Sequence, residues 1–333
     1  NGGSLTIEAG SVITAVLTDG SDALLVENGG KLFLNGTAAL PIVFTEASKT
    51  PGSWGGIIMV GDAPIVGANS VTTATTEDGN NLPYGGTNAT HNGGTLKYVR
   101  VEYAGKKLTD NTSEMNGYSF YSVGSGTVLE NLVAYKGADD GFEFYGGTVS
   151  AKNLISYGNF DDSFDWQDGW RGDANTNWYA YQVVTGNYGM EIEAKSINNA
   201  FGPKVSNITL TIAAGTVTEG GSSANEFDAI QFKKEGNGEY TNVVISGYTT
   251  SNTTLTATAV RIQDKSTNDN QVTGGKIKMF NVKINDGTSQ FAGVGTTFTV
   301  AFPTGNYTTS STATGATLTA GAWAIVDGVS LIK

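Results

Sequence analysis

A two-part pattern that recurs six times in the middle of the chain constrains the fold more than any other feature. Its first part is a small residue followed by alternating apolar and variable residues, and its second part is an asparagine followed by alternating apolar residues. The first part is centred on Ser119, Glu143, Asp165, Glu191, Gln231 and Arg261. The second part begins at Asn131, Asn153, Asn177, Asn207, Asn242 and Asn281. Successive centres lie 22 to 40 residues apart, so short strands of constant length alternate with loops that absorb insertions, as in a solenoid.

The alternation within each unit predicts how the units stack. Alternate side chains of a strand point to opposite faces, and parallel strands of adjacent coils lie about 4.8 Å apart with equivalent residues above one another. The asparagines would then form one column whose amides hydrogen-bond along the turn. A β-sandwich also has short strands, but it gives no reason for an asparagine at the same place in six consecutive units. We therefore predict an all-β chain that folds as a right-handed parallel β-helix, a solenoid of three-strand coils.

The same patterns predict one domain over residues 1–333. Residues 1–63 read as N-terminal coils, because the motif at the start of the chain is repeated from residue 28. Residues 64–94 are rich in Thr, Asn and Gly and are predicted to be an inserted loop. The regular coils with the asparagine ladder cover 95–284, and irregular C-terminal coils cover 285–333. The abrupt start of the chain suggests that a leader and an N-terminal cap lie before it.

Charge and composition exclude several functional classes. The formal charge is −12 without any basic run, so the surface repels nucleic acid. The chain has no cysteine and one histidine, His91, which predicts no disulfide, no thiolate chemistry and no histidine-based triad or zinc site. We also expect no organic cofactor. No segment has the roughly 18 to 20 apolar residues that a transmembrane helix needs. An acidic chain without cysteine and rich in Thr, Ser, Asn and Gly is typical of bacterial surface and secreted proteins.

Several motifs resemble a known family. They are the run from Trp54 to Val60, the run from Leu96 to Glu102, and the Asp-Asp segments that begin at Asp139 and Asp161. These motifs resemble the pectin-lyase-like β-helix proteins that Bacteroidetes place on or beyond their outer membrane. The resemblance implies an extracellular location or the outer-membrane surface of a Gram-negative bacterium. Many similar proteins have no assigned activity, and this chain lacks a recognisable C-terminal sorting domain.

Stacking the units predicts columns of acidic residues on the outer surface. The central column contains Glu143, Asp165 and Glu191, and three consecutive carboxylates repel by about 1 kcal/mol per neighbouring pair in water. A fold relieves such repulsion by protonation, ion pairing or cation binding. Paired aspartates one coil apart offer hard oxygen ligands, so we predict a Ca²⁺ site at Asp139, Asp140, Asp161 and Asp162. The alternative is that these aspartates are solvated or bonded to turn amides.

Three functions are compatible with this surface. The leading hypothesis is a non-catalytic module for glycan binding, adhesion or surface structure, whose partner is a polysaccharide or surface glycan. Its predicted ligand-binding residues include two aromatic platforms for sugar rings and are Tyr121, Tyr145, Gln167, Glu191 and Glu193. A second hypothesis is a polysaccharide lyase or glycoside hydrolase with the candidate catalytic residues Glu143, Asp165, Lys233 and Arg261. A third is a structural subunit that associates end to end or binds an outer-membrane protein, since exposed strand edges invite pairing.

Overall fold

The computed structural model describes residues 2–16, 22–108, 114–196, 200, 202–217, 228–248, 258–286, 289–293 and 298–333. This part of the chain forms a right-handed parallel β-helix, as the repeat predicts, and is built from two large parallel sheets. Short helical segments at Ala68–Ser70, Lys265–Thr267, Asn268–Val272 and Ala322–Ala324 interrupt the described strands. None of the helices in these ranges is long and apolar enough to cross a membrane.

The first sheet has one strand from each coil. In the described residues it contains nine parallel strands: β3 (Leu24–Val26), β6 (Ile57–Val60), β10 (Tyr118–Tyr121), β12 (Phe142–Tyr145), β14 (Phe164–Gln167), β16 (Met190–Ile192), β18 (Ile230–Phe232), β20 (Thr258–Ile262) and β22 (Ser289–Gly293). Each strand pairs in register with the next, so that Phe142 lies above Phe164 and Phe144 above Trp166. Alternation therefore sends one set of residues into the core and the other outward.

The second sheet forms the other two faces of each coil. Its twelve described strands are β1 (Ser4–Ile7), β2 (Val12–Ala15), β4 (Lys31–Asn35), β5 (Ile42–Glu46), β9 (Gly94–Glu102), β11 (Val128–Tyr135), β13 (Ala151–Tyr157), β15 (Asn175–Gln182), β17 (Lys204–Ile212), β19 (Gly238–Ser246), β21 (Ile277–Ile284) and β23 (Tyr307–Thr309). In the first coils the two faces are separate strands, and β4 and β5 pair with the first and second halves of β9. From β9 to β21 a single bent strand covers both faces.

The six ladder asparagines lie at the bends of these long strands. All six have φ between 55° and 59°, the left-handed conformation that asparagine adopts more readily than most residues. The Asn153 side chain donates to Asn131 Oδ1 at 2.9 Å, and that of Asn177 donates to Asn153 Oδ1 at 3.0 Å. The ladder is interrupted at Asn207, which donates to Thr176 Oγ1 instead, and again at Asn242, whose Oδ1 accepts from the backbone N–H of Thr314 rather than from Asn281. The repeated asparagine is thus explained by backbone conformation as well as by amide pairing.

The core is a continuous stack of apolar side chains inside the coils. Its central part is aromatic: Tyr118 stacks on Phe142 with ring centroids 4.9 Å apart, and Phe144 stacks on Trp170 at 4.4 Å. Trp170 and Trp178 are both buried in this stack. Aromatic pairs of this kind contribute about 0.5–1.5 kcal/mol each beyond the area that they bury.

The segment between β6 and β9 lies over the outer side of the first sheet. It contains a small antiparallel hairpin, β7 (Ala74–Thr75) and β8 (Pro83–Tyr84). The Tyr84 ring packs against Tyr121 and Tyr145 at centroid distances of 5.1 and 6.3 Å. The Tyr84 hydroxyl also donates to Asp168 at 2.5 Å, and both residues are buried. This loop therefore covers part of the first sheet and borders the part of its outer surface that stays uncovered.

The C-terminal part differs from the irregular coils predicted for residues 285–333. Among the described residues of this part, only β22 and β23 continue the two sheets, and residues 314–333, which we call the C-terminal strap, run back along the second sheet. The strap ends in a hairpin, β24 (Ile325–Val326) and β25 (Val329–Ser330). Its residues Trp323, Val326 and Leu331 pack on Tyr103, which follows β9, and on outward side chains of the long strands, which are Val133, Tyr135, Ile155, Tyr157 and Tyr179. The sequence does carry a signal for the strap that the repeat pattern alone does not reveal, because these outward positions are apolar and need a cover.

Candidate functional site

Three acidic residues line up on the outer side of the first sheet. Glu143, Asp165 and Glu191 occupy equivalent positions in β12, β14 and β16. Ser119 precedes them in the column, and Gln231 and Arg261 follow. The register therefore has the order that stacking of the repeat predicts, with neighbours one strand spacing apart.

These acids form the floor of a cavity of about 250 Å³, which we call the acidic pocket. Its fourteen lining residues are all polar or charged: Glu77, Glu114, Asp139, Asp140, Glu143, Asp161, Asp162, Asp165, Gln167, Glu191, Glu193, Lys195, Lys233 and Lys234. Glu77 comes from the inserted loop, and its backbone oxygen accepts a hydrogen bond from Glu114 N at 3.2 Å. Sequence reasoning missed Glu77, Glu114, Lys195 and Lys234, because only the packing of distant segments brings them to the pocket.

The turn aspartates have a structural role that accounts for one oxygen of each. Asp140 Oδ1 accepts a hydrogen bond from the backbone N–H of Asp162 at 2.9 Å, and Asp162 Oδ1 accepts one from Tyr188 N at 2.7 Å. Asp228 Oδ1 accepts from Thr258 N at 2.6 Å in the same way. Each aspartate thus joins its own coil to the next one. The turn-amide alternative is correct for these oxygens.

The carboxylates that the sequence assigned to one cation site are divided between groups. Asp139, Asp140 and Asp161 have oxygens that lie within 4.8 Å of one another, whereas Asp162 belongs to a group with Asp165 and Glu191. A further group within the same distance contains Asp140, Glu143 and Asp165. Three of the four predicted ligands therefore come together, and clustered oxygens of this kind suit a hard cation such as Ca²⁺.

Comparison with known proteins agrees with this architecture. Residues 1–326 match the family of pectate-lyase-like β-helix domains. The chain belongs to this family. No curated protein and no solved structure matches the chain. The family assignment supports the fold of this pectate-lyase-like β-helix domain, and the chemistry of its pocket has to be argued from its own residues.

Burial governs the electrostatics of the acidic pocket in this pectate-lyase-like domain. Burial, together with the charges of neighbouring carboxylates, raises the pKa values of Asp140, Asp162 and Asp165 well above the ordinary value. Burial and the charge of Glu77 raise the pKa of Glu143 in the same direction, although hydrogen bonds from Tyr145, Gln167 and Asn116 oppose the shift. The ionised carboxylates of the pocket therefore repel one another, and protonation or a bound cation relieves that repulsion.

Lysine side chains neutralise one end of the acidic pocket. Lys233 Nζ lies 2.5 Å from Glu191 and 3.5 Å from Glu193, and Lys234 Nζ lies 2.9 Å from Glu193. Burial alone would lower the pKa of Lys233, but the charges of Glu191, Asp165 and Glu193 outweigh it and hold the pKa well above the ordinary value. Lys233 therefore lies in ion pairs that favour its charged form.

The other candidate base is also engaged. The Arg261 guanidinium forms an ion pair with Asp228, which is fully buried. Arg261 follows Gln231 in the central column, so two strand positions separate it from Glu191. The structure thus brings Glu143 and Asp165 together and leaves Lys233 and Arg261 in ion pairs.

The aromatic platforms differ from the sequence-based expectation. Tyr121 and Tyr145 are 0% and 1% exposed, because the inserted loop packs on them and their rings stack at 3.9 Å. The other large aromatic residues of these coils, which include Tyr118, Trp170, Trp178 and Tyr179, are buried as well. Of the predicted ligand-binding set, Gln167, Glu191 and Glu193 line the acidic pocket. Alternation predicts which side of the strand a residue faces, but it does not predict that a distant loop will cover that side.

Proposed function

We propose that the protein is a non-catalytic carbohydrate-binding module that works outside the cell, at the surface of a Gram-negative bacterium. The acidic pocket is the proposed binding site, and Ca²⁺ is the proposed cofactor. The observation that supports this proposal is the convergence of the oxygens of Asp139, Asp140 and Asp161 within 4.8 Å in a pocket lined only by polar and charged side chains. The location is supported by the acidic composition, which is rich in Thr, Ser, Asn and Gly.

Calcium fits this pocket for two physical reasons. It accepts six to eight oxygen ligands at about 2.3–2.6 Å, and part of that set can come from water or from the hydroxyls of a bound sugar. A divalent cation also relieves the repulsion between carboxylates that burial has placed together. A sugar held in this way needs no exposed aromatic ring, which agrees with the burial of Tyr121 and Tyr145.

A glycoside hydrolase is the second candidate. One observation favours it: the pKa values of Glu143 and Asp165 are both raised, and a raised pKa is what a general acid requires. The polysaccharide lyase hypothesis lacks a comparable observation, because Lys233 and Arg261 are ion-paired. End-to-end association and an outer-membrane partner stay predictions.

Calcium binding and glycan binding can be tested with the purified chain. Titration calorimetry with Ca²⁺ alone should show saturable binding that Asp139→Asn and Asp161→Asn weaken. Asp173→Asn is the matched control, because Asp173 is exposed and does not line the acidic pocket. A glycan array in Ca²⁺ should give signals that a chelator removes. No Ca²⁺ binding, or glycan signals that do not depend on Ca²⁺, would contradict the proposed mechanism.

The same samples separate binding from catalysis. The module is expected to bind oligosaccharides without releasing reducing ends. Release of reducing ends that is lost in Glu143→Gln and in Asp165→Asn would instead establish the hydrolase.

A further inference from the structure

The acidic pocket is neutralised at only one end. Lys195, Lys233 and Lys234 form ion pairs with Glu77, Glu191 and Glu193. Asp140, Glu143 and Asp165, which lie beside them, form no ion pair with a lysine or arginine of the described residues. Among the described residues, lysines therefore form ion pairs with Glu77 and with the acids of β16 and of the segment after it, whereas Lys233 and Lys195 act on Asp165 and Glu143 only from beyond ion-pair distance.

The geometry of the uncompensated acids matches an ammonium group. Oxygens of Asp140, Glu143 and Asp165 lie within 4.8 Å of one another. The centre of a triangle of that size is at most about 2.8 Å from each corner, which is the usual length of an N⁺–H···O⁻ hydrogen bond. An ammonium group has three N–H donors, one for each oxygen of the triangle.

A second and independent observation is a buried acceptor without a donor on a residue that lines the same pocket. Gln167 lines the acidic pocket and is only 5% exposed, yet its Oε1 atom is buried without a hydrogen-bond partner. Its amide nitrogen donates to Glu143 Oε1 at 2.9 Å, which fixes the orientation of the amide. An unsatisfied buried carbonyl costs about 1–3 kcal/mol, and a ligand N–H or O–H would remove that cost.

We propose that Asp140, Glu143, Asp165 and Gln167 form a subsite for the ammonium group of an amino sugar. This inference rests on the proposed glycan-binding function and adds the class of glycan, one that carries free amines. The subsite differs from the proposed Ca²⁺ site in every residue except Asp140.

The walls of the pocket favour a sugar over an alkyl amine. None of the fourteen lining residues is apolar, so the methylene chain of an amine such as a lysine side chain would have no apolar surface to contact. The ring hydroxyls of a sugar, in contrast, can hydrogen-bond to the carboxylates and lysines around the amine. The cavity of about 250 Å³, which Glu77 of the inserted loop helps to close, suits one terminal residue rather than a continuous chain.

The test compares two oligosaccharides of equal length, one of glucosamine and one of N-acetylglucosamine, by titration calorimetry in buffer near neutral pH. In the presence of Ca²⁺, the full chain should bind the glucosamine oligosaccharide at least about tenfold more tightly, because acetylation removes the charge and two donors. Asp165→Asn should weaken this binding by about tenfold or more, whereas Asp173→Asn should leave it unchanged. Thermal melting of each variant verifies that it is folded.

The outcomes separate this inference from the function on which it rests. Equal affinity for the two oligosaccharides, or equal binding of a tetralysine peptide, would overturn the amino-sugar subsite and leave glycan binding intact. Binding of other glycans without binding of glucosamine would do the same. Failure to bind any glycan would overturn both proposals.

Discussion

Replacing Asp165 by asparagine should stabilise the protein when no divalent cation is present. Asp165 has Glu143 and Glu191 as register neighbours, and Lys233 already neutralises Glu191. The repulsion from Glu143 remains, and two charges within 4.8 Å interact by about 1 kcal/mol in water and about 3.5 kcal/mol at an effective dielectric constant of 20. Asp165 Oδ1 is buried without a hydrogen-bond partner, so the substitution removes charge without removing a bond at that atom. We expect a gain of about 1–3 kcal/mol at neutral pH.

The effect should depend on pH with a defined sign. The pKa of Asp165 is raised in the folded chain, so its contribution to stability is complete below the unfolded pKa and is lost as the pH rises through the folded pKa. In chelator, the wild type should therefore become less stable from about pH 4 upward, the ordinary range of an aspartate. Asp165→Asn should lose less over the same range, and the gap between the two chains should widen with pH.

Thermal melting over a pH series, in chelator, measures this gap. At neutral pH the Tm of Asp165→Asn should exceed that of the wild type by several degrees. Asp173→Asn, whose side chain is exposed, should follow the wild type at every pH. A wild-type Tm that is constant or rises through this range, with no advantage for Asp165→Asn, would refute the argument that the ionised pocket is strained.

Three further substitutions test other parts of the fold. In chemical denaturation, Asn153→Ala should lower the free energy of unfolding by about 2–3 kcal/mol, because it places alanine at a φ of 57° and removes two amide bonds of the ladder. Asn153→Gly should lower it less, and equal losses would show that the left-handed conformation does not contribute. Tyr84→Phe should lower the free energy of unfolding by about 1–3 kcal/mol and make the inserted loop easier to cleave by protease, since it leaves buried Asp168 without its donor. Unchanged cleavage would show that the hydroxyl does not hold the loop. Arg100→Ala should expose the C-terminal strap to limited proteolysis, because Arg100 Nη1 donates to the backbone oxygens of Ala322 and Ile325 at 3.2 and 2.9 Å. A strap as resistant as that of the wild type would mean that its apolar contacts alone hold it on the second sheet.

The features that depend on local repetition could be predicted from the sequence. The column from Ser119 to Arg261 follows from alternation within strands and from repetition between them, and every step of it has the expected register. The column of asparagines follows from the same repeat, although its left-handed backbone conformation was not anticipated. A repeat contains this information because each coil contacts mainly its neighbours.

The features that depend on distant segments could not be predicted in the same way. Tyr121 and Tyr145 point outward as alternation requires, but the loop that buries them shares no repeat with their strands. Lys195 joins the acidic pocket through Glu77, 118 residues away in the chain, and nothing in the local pattern of either residue indicates that contact. The composition of the pocket is therefore a property of the assembled fold.

The C-terminal strap changes how such a solenoid is expected to unfold. In a chain of stacked repeats the stability is approximately a sum of nearest-neighbour terms, so the end coils can open while the middle stays intact. Here the strap contacts the coil of β19 through Asn242, the coil of β15 through Asn177, and the first coils through Ala38 and Lys49. Opening an early coil therefore also breaks contacts of the strap, which couples ends that a plain solenoid would leave independent. The backbone amides from β4 to β19 should therefore show similar protection from hydrogen exchange. Protection should not decline toward the ends, because these strands unfold as one cooperative unit.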